Sequence, residues 1–270
     1  MTRVALVVSD VDGTLLTKEK LLTERAIGAA HKLHEAGIGL TITSSRPTMG
    51  MRFLIEPLGI SLPVGAFNGS CIVDPGLRLI EQHLIPESAA RRAIDVLGQF
   101  DVDVWLFTSD RWLVRNGSGP YVAHEGRTIR AEPAVVEDLT PYLSSACKIV
   151  GSSADAPLLK ACEIAMQDAL GEQATAVRSQ SYYLDITPPG FNKGTFVQFM
   201  ARRLGISTDA IATLGDMQND LPMFGHSGVS FAMGNASDDV KRAATHVTAS
   251  NEEEGFAKAI DVILGENVAS

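Results

Sequence analysis

The stretch Val4-Ala-Leu-Val-Val-Ser-Asp-Val-Asp-Gly-Thr14 decides the fold of this 270-residue chain. Its first part, Val4 to Ser9, is largely apolar and rich in β-branched residues, as in a strand buried on both faces of a parallel sheet. Polar loop residues follow at once, from Asp10 to Thr14. Open α/β sheets place their ligands just beyond the carboxyl ends of the strands. The stretch therefore predicts an α/β fold with a candidate site at this loop.

A βαβ unit extends outward from this first strand. Thr23 can cap a helix that ends at Gly37, where a left-handed C-cap is easy, and a second strand covers residues 39–43. Elements of the same kind return near the other end of the chain, at residues 194–204, 211–214 and 229–232. Both terminal regions are predicted to form one Rossmann-like, doubly wound parallel sheet.

The middle of the chain has a different pattern. Residues 85–185 indicate the order helix, strand, strand, helix, strand, strand, with helices at 87–100 and 156–170. This predicts an α+β cap domain inserted into a core domain of residues 1–84 and 186–270. Trp105 and Trp112, on the first hairpin of the insert, are interpreted as core residues rather than substrate contacts. Two connections join insert and core, so we expect the insert to hinge as lids do.

Composition excludes several classes of partner. The 32 acidic and 23 basic side chains give a formal net charge of -9, so the chain repels nucleic acids and anionic membranes. No apolar stretch approaches the roughly 20 residues of a transmembrane helix, and the start of the sequence lacks a secretion signal, so we expect a cytoplasmic protein. The three cysteines are odd in number and widely spaced, which indicates buried thiols rather than disulfides or a zinc site.

Three further segments place polar groups at a strand end or a helix start. Thr43-Ser-Ser-Arg46 offers hydroxyls, backbone N–H groups and a guanidinium, all donors for phosphate oxygens. Asn192-Lys-Gly-Thr195 places a lysine at the positive end of a helix, and Leu214-Gly-Asp-Met-Gln-Asn-Asp220 adds carboxylates and an amide. Taken singly, these segments and the Asp10 loop are compatible with polar turns, a helix N-cap or a solvated lysine. Together they favour a phosphate site.

In order and residue type, the four segments resemble the motifs of the haloacid dehalogenase-like (HAD) superfamily. The matching residues are Asp10-x-Asp12-Gly13-Thr14, Ser44, Lys193 and Gly215-Asp216-x-x-Asn219-Asp220. The insert between the second and third motifs, with Ser44-Ser45-Arg46-Pro47, Phe67-Asn68-Gly69 and Asn192-Lys193-Gly194, resembles the Cof-type subgroup (subclass IIB) with its large α+β cap. Many Cof-type proteins have Thr-Gly-Arg where this chain has Ser44-Ser45-Arg46, which keeps the hydroxyl and predicts a stiffer loop.

The resemblance implies a covalent mechanism. Asp10 would be the nucleophile that forms an aspartyl-phosphate, and Asp12 the acid that protonates the leaving oxygen and then activates water. Mg²⁺ would be held by Asp10, the backbone carbonyl of Asp12, and Asp216, because hard oxygen ligands suit this ion. Asp220 would orient Lys193. The residues implied to bind the phosphoryl group of the substrate are Ser44, Ser45, Arg46, Lys193 and Asn219.

The function implied is a magnesium-dependent phosphatase of small phosphorylated metabolites, sugar phosphates above all. Because the four motifs concern only the phosphoryl group and the metal, selectivity is expected from the insert, with residues 116–127 as candidate contacts. Two alternatives stay open: a phosphomutase of the same superfamily, and a non-catalytic phosphate-binding or receiver-like module. Asp12 argues against the non-catalytic or receiver-like module, since an acid/base beside an acyl phosphate promotes hydrolysis of that phosphate. The sequence does not indicate an oligomeric state.

Overall fold

The structure is a computed structural model and describes residues 3–269. The first two residues, on which the expectation of a start without a secretion signal partly depends, lie outside the described residues, as does Ser270. The strands are β1 Leu6–Ser9, β2 Gly39–Ile42, β3 Val64–Ala66, β4 Cys71–Val73, β5 Leu79–Gln82, β6 Asp103–Phe107, β7 Trp112–Val114, β8 Ala134–Val135, β9 Lys148–Ser152, β10 Thr175–Gln180, β11 Tyr183–Thr187, β12 Ile211–Gly215, β13 Val229–Ala232 and β14 His246–Val247. The helices are α1 Glu24–Glu35, α2 Arg52–Ile55, α3 Glu87–Leu97, α4 Val122–Ile129, α5 Ala156–Leu170, α6 Lys193–Leu204, α7 Leu221–Phe224, α8 Asp238–Ala243 and α9 Gly255–Ala269.

A five-stranded parallel sheet of order β14-β13-β12-β1-β2 forms the centre of the first part of the fold. Strand β1 is wholly buried, as its apolar sequence predicts. Leu6 and Val8 point to the face covered by α6 and α7, while α1 packs against α9. The predicted α/β fold with a doubly wound parallel core is confirmed. The carboxyl ends of β2, β1 and β12 therefore lie side by side.

Local capping explains where the first helix begins and ends. The Thr23 hydroxyl accepts a hydrogen bond from the backbone N–H of Ala26 at 3.1 Å, and Gly37 follows the helix with a φ of +72°. Strand β1 begins at Leu6 rather than at Val4, and α3 ends at Leu97 because Gly98 follows as its C-cap.

The second part of the fold contains a six-stranded sheet of order β10-β11-β9-β6-β7-β8 with α3 and α5 packed on one face. Trp105 and Trp112 are almost fully buried and their rings meet edge to face, with centroids 5.4 Å apart, so their interpretation as core residues is confirmed. The predicted order of elements is wrong in the middle, because it omits α4, β8 and β9. Strand β9 is central, yet Gly151 and Ser152 interrupt its apolar pattern. The short α4 contains Gly126, which weakens its helical signal.

Contacts divide the chain into two compact units. The first contains Met1–Arg46, Met51–Ile80 and Asn192–Ser270, and the second contains Pro47–Gly50 and Glu81–Phe191. The sequence predicts boundaries at 84/85 and 185/186, and it does not indicate that residues 47–50 join the second unit. The interpretation of these units as core and cap domains stays a prediction.

All three cysteines are buried, as the sequence indicates. Within the described residues, no helix combines the length and the apolar character needed to cross a membrane.

Candidate active site

The first unit brings the predicted site residues to one edge of the parallel sheet. Asp10 follows β1, Ser44 lies just past β2, Asp216 follows β12, and Lys193 is the first residue of α6. Since β2, β1 and β12 are parallel neighbours, loops far apart in sequence emerge beside one another.

Lys193 lies at the centre of a buried cluster of charges. Its Nζ donates to Asp10 Oδ1 at 2.5 Å and to Asp220 Oδ1 at 2.6 Å, and the residue is 1% exposed. The Asn192 side chain caps the helix by accepting from the backbone N–H of Gly194. Burial opposes the charge on Lys193, but the two carboxylates overcome this effect and raise the pKa of the lysine. A solvated lysine is therefore excluded, and Lys193 is held as a cation against Asp10.

Asp220 is held at both of its oxygens. Lys193 donates to Oδ1, and the backbone N–H groups of Asp216 and Met217 each donate to Oδ2 at 2.9 Å. The preceding turn requires Gly215, because a Cβ at that position would lie 2.4 Å from the Asp220 Cγ. Asp220 thus links the loop after β12 to the start of α6.

Asp216 is oriented by neighbours on two other loops. The Thr14 hydroxyl donates to Oδ1 at 3.3 Å, and Asn235 Nδ2 donates to Oδ2 at 3.1 Å and to the Gly13 carbonyl at 2.9 Å. Gly13 has a φ of +82°, and a Cβ there would lie 2.3 Å from Asp216 Oδ2. Sequence reasoning did not identify Asn235, although its place shortly after strand β13 is the kind of position at which the other site residues occur.

The residues fit a divalent cation. One oxygen from each of Asp10, Asp216 and Asp220 lies within 4.8 Å of the others, and all three residues are buried. One ammonium opposes three carboxylates, so the cluster lacks compensating positive charge. Burial and the neighbouring carboxylates raise the pKa of Asp10, although Lys193 opposes this effect. Burial and the charge of Asp220 raise the pKa of Asp216 to about 6. Oxygen ligands with excess negative charge suit Mg²⁺. Both oxygens of Asp220 already accept hydrogen bonds, which favours Asp10 and Asp216 as ligands.

Asp12 lies between two cations. Arg46 donates two hydrogen bonds to it, from Nε to Oδ2 at 2.6 Å and from Nη2 to Oδ1 at 2.8 Å. Lys20 Nζ forms an ion pair with Oδ1 at 2.7 Å. Burial alone would raise the pKa of Asp12, but the hydrogen bond and charge of Arg46, aided by Lys20, lower it to about 2. The structure thus places the Arg46 guanidinium on Asp12, whereas the sequence assigned it to the substrate. Lys20 was not identified from the sequence.

The loop after β2 is stabilised by a neighbouring turn. Ser44 is buried, its hydroxyl accepts from the backbone N–H of Arg46 at 3.2 Å, and its carbonyl accepts from the Asn68 N–H at 2.7 Å. The Asn68 side chain in turn accepts from Asn219 Nδ2 at 3.1 Å. Ser45 is half-buried and Asn219 exposed. Ser44 and Asn219 are thus linked through Asn68, which has a left-handed φ of +59°.

Comparison with known proteins shows the class of enzyme. The family of haloacid dehalogenase-like hydrolases matches residues 7–260. The 5-amino-6-(5-phospho-D-ribitylamino)uracil phosphatase YwtE of Bacillus subtilis is 30% identical over 96% of this chain and 98% of the relative. The HMP-PP phosphatase of Cronobacter sakazakii is 26% identical over 88% of this chain and 87% of its own. The chain therefore belongs to the haloacid dehalogenase-like hydrolases, and the prediction that it is a phosphatase enzyme is confirmed.

Solved structures agree with this assignment. A haloacid dehalogenase-like hydrolase from Bacteroides thetaiotaomicron superposes with a TM-score of 0.90 and 26% identity, over 97% of this chain and all of the other. A HAD subclass IIB sugar phosphatase has the same fold, with a TM-score of 0.80 and 22% identity over 96% of this chain and 98% of the other. The predicted resemblance to the Cof-type haloacid dehalogenase-like hydrolases is confirmed.

Proposed function

We propose that this enzyme hydrolyses small phosphomonoesters, sugar phosphates among them, with Mg²⁺ and through an aspartyl-phosphate on Asp10. The observation that carries the proposal is the buried contact of Asp10 with Lys193 beside Asp216. A carboxylate is a competent phosphoryl acceptor, and a fixed ammonium compensates the approach of an anionic phosphate to it.

The residues support a reaction in two halves. A carboxylate oxygen of Asp10 attacks phosphorus, and the bond from phosphorus to the leaving oxygen breaks while Asp12, which first takes up a proton from solvent, supplies that proton to the oxygen. Water then attacks the phosphorus of the aspartyl-phosphate, Asp12 takes up its proton, and phosphate leaves with Asp10 restored. Lys193, Ser44, the Ser45 amide and Asn219 hold the phosphoryl oxygens in this scheme.

Mg²⁺, when bound by Asp10 and Asp216 with the backbone carbonyl of Asp12, would neutralise charge between the nucleophile and the phosphoryl group. The charge imbalance of the carboxylate cluster supports this assignment. Asp220 is the residue that orients Lys193.

Selectivity is assigned to the second unit, acting as a cap, because the motif residues concern only the phosphoryl group and the metal. The names of the relatives support small phosphorylated molecules: one specifies a phospho-D-ribitylamino uracil, and another HMP-PP. The net charge of -9 disfavours nucleic acids as substrates. A cytoplasmic location is part of the same proposal.

A panel of phosphorylated metabolites tests the substrate class. We expect the highest kcat/KM on small phosphomonoesters and activity that disappears with a chelator and returns with Mg²⁺. Best activity on a phosphopeptide or an oligonucleotide would contradict the proposal. Incubation with a hexose 1-phosphate, followed for inorganic phosphate against hexose 6-phosphate, separates hydrolysis from a phosphomutase reaction.

A further inference from the structure

We infer that Lys20 is a positioning residue, which together with Arg46 holds the carboxylate of Asp12 for proton transfer. The inference rests on the proposed function, because it takes Asp12 as the acid/base. Its basis is the geometry of three side chains: Arg46, from the loop after β2, binds both oxygens of Asp12, and Lys20, from the connection after β1 that also carries Asp12, binds Oδ1.

The two cations approach Asp12 from different environments. Arg46 lies shortly after β2, and its side chain is 3% exposed. Lys20 lies further from its strand, in the connection after β1, and its side chain is 39% exposed. A guanidinium fork sets the plane of a carboxylate that it binds at both oxygens. Lys20 adds a contact outside the β2 loop, so the carboxylate is held between two separate segments of the chain.

Hydrogen bonds hold the backbone of the loop that carries Lys20. The backbone N–H of Lys20 donates to the Thr17 carbonyl, and that of Thr17 donates to the Leu21 carbonyl, each at 3.0 Å. Lys20 adopts a left-handed φ of +61°, which is uncommon for a residue with a side chain. The loop is also tied to a distant segment, because Glu252 Oε1 accepts from the Lys18 N–H at 2.8 Å. The start of the Lys20 side chain is therefore fixed.

This arrangement predicts a particular kinetic defect. Proton transfer to the leaving oxygen depends on the placement of Asp12, and it matters most for an alkoxide, which leaves poorly without a proton. A nitrophenolate leaves readily without one. Loss of Lys20 also removes a charge that lowers the pKa of Asp12, but Arg46 has the larger effect on that pKa and remains, so protonation of Asp12 is eased only a little. Lys20→Met should therefore be slower on alkyl phosphates, because Asp12 is less well placed, and little changed on p-nitrophenyl phosphate. Binding of the phosphoryl group should not change, since Lys20 contacts Asp12.

The test compares Lys20→Met, Lys20→Arg and the matched control Lys18→Met in the full-length, Mg²⁺-loaded enzyme. Lys18 is exposed in the same loop and forms no ion pair within residues 3–269, and its backbone contact survives substitution. We expect kcat/KM of Lys20→Met to fall about tenfold on glycerol phosphate, a modest part of the 10²–10⁴ of general acid catalysis. It should change little on p-nitrophenyl phosphate. Lys20→Arg should recover most of the loss, and Lys18→Met should behave as the parent enzyme.

Inhibition by inorganic phosphate and vanadate supplies the second readout, with unchanged inhibition constants expected for Lys20→Met. Equal losses on both substrates, no loss on either, or weaker inhibition by phosphate would overturn the inference. Asp12→Asn separates this outcome from failure of the proposed function. If Asp12→Asn shows the selective loss and Lys20→Met does not, only the positioning role is refuted. If Asp12→Asn itself lacks the selective loss, the acid role of Asp12 is refuted and the inference with it.

Discussion

Removal of the buried ammonium is the sharpest test of how the charges of the site are balanced. Lys193→Met keeps a chain of similar length but deletes the only cation found in contact with Asp10 and Asp220 among the described ion pairs. Breaking a buried pair at one partner costs about 3–5 kcal/mol, because a charge is left buried and uncompensated. Here Asp220 keeps two backbone donors and Asp10 can take up a proton. We therefore expect a loss near the lower limit, about 3 kcal/mol without metal.

The assay is urea unfolding of the metal-free protein at neutral pH, followed by far-UV circular dichroism. A domain typically has about 5–15 kcal/mol of stability, so the variant should still fold. Both tryptophans lie in the second unit, and their fluorescence therefore reports separately on that unit. Lys258→Met is the matched control, because Lys258 is exposed and such substitutions usually change stability by less than about 0.5 kcal/mol.

A double substitution completes the experiment. Lys193→Met with Asp10→Asn should be more stable than Lys193→Met alone, because one uncompensated carboxylate is gone. Mg²⁺ should restore more stability to Lys193→Met than to the double variant, in which a proposed metal ligand is also missing. A loss below about 1 kcal/mol for Lys193→Met, or a further loss in the double variant, would refute the reasoning that Lys193 compensates the cluster.

The other predictions concern the nucleophile, the metal and pH. Asp10→Asn should stay folded but release no phosphate; a near-normal rate, once deamidation is excluded by mass spectrometry, would contradict the nucleophile assignment. Asp216→Ala should lose Mg²⁺ affinity along with activity, and unchanged binding by calorimetry would disprove its ligand role. Lys193→Arg should retain only a small part of the activity, since a planar guanidinium does not replace a compact ammonium; full activity would argue against this site. The pKa of Asp216 is raised from 3.8 to about 6. In the metal-free protein, the contribution of protonated Asp216 to the free energy of unfolding should therefore be fully present below about pH 4 and lost as the pH rises through about 6. The difference is about 3 kcal/mol and should be absent in Asp216→Asn when urea unfolding is measured across pH.

Much of this site could be predicted from local sequence. A buried parallel strand is apolar on both faces, so β1 is visible in the sequence, and the loop that follows it must lie at the edge of the sheet. The same reasoning locates Ser44 and Asp216 after strands, and the Asn192 cap marks the start of the helix that carries Lys193. In the second unit, α4 and β9 were missed because glycine and polar residues interrupt their patterns.

The sequence by itself determined the parallel core, the order of the four motifs and the residue types proposed to bind phosphate and metal, since these depend on short-range periodicity and on strand ends. Only the tertiary structure decided which charged groups meet. Arg46 could bind substrate or Asp12, and its partner follows from how the loops after β1 and β2 face each other across 34 positions of sequence. Asn235 likewise acquires its partners through a contact between separate loops, and Lys20 reaches Asp12 because the connection between β1 and α1 folds back on itself. Side-chain pairing of this kind is set by distance in space, which local patterns of polarity do not encode.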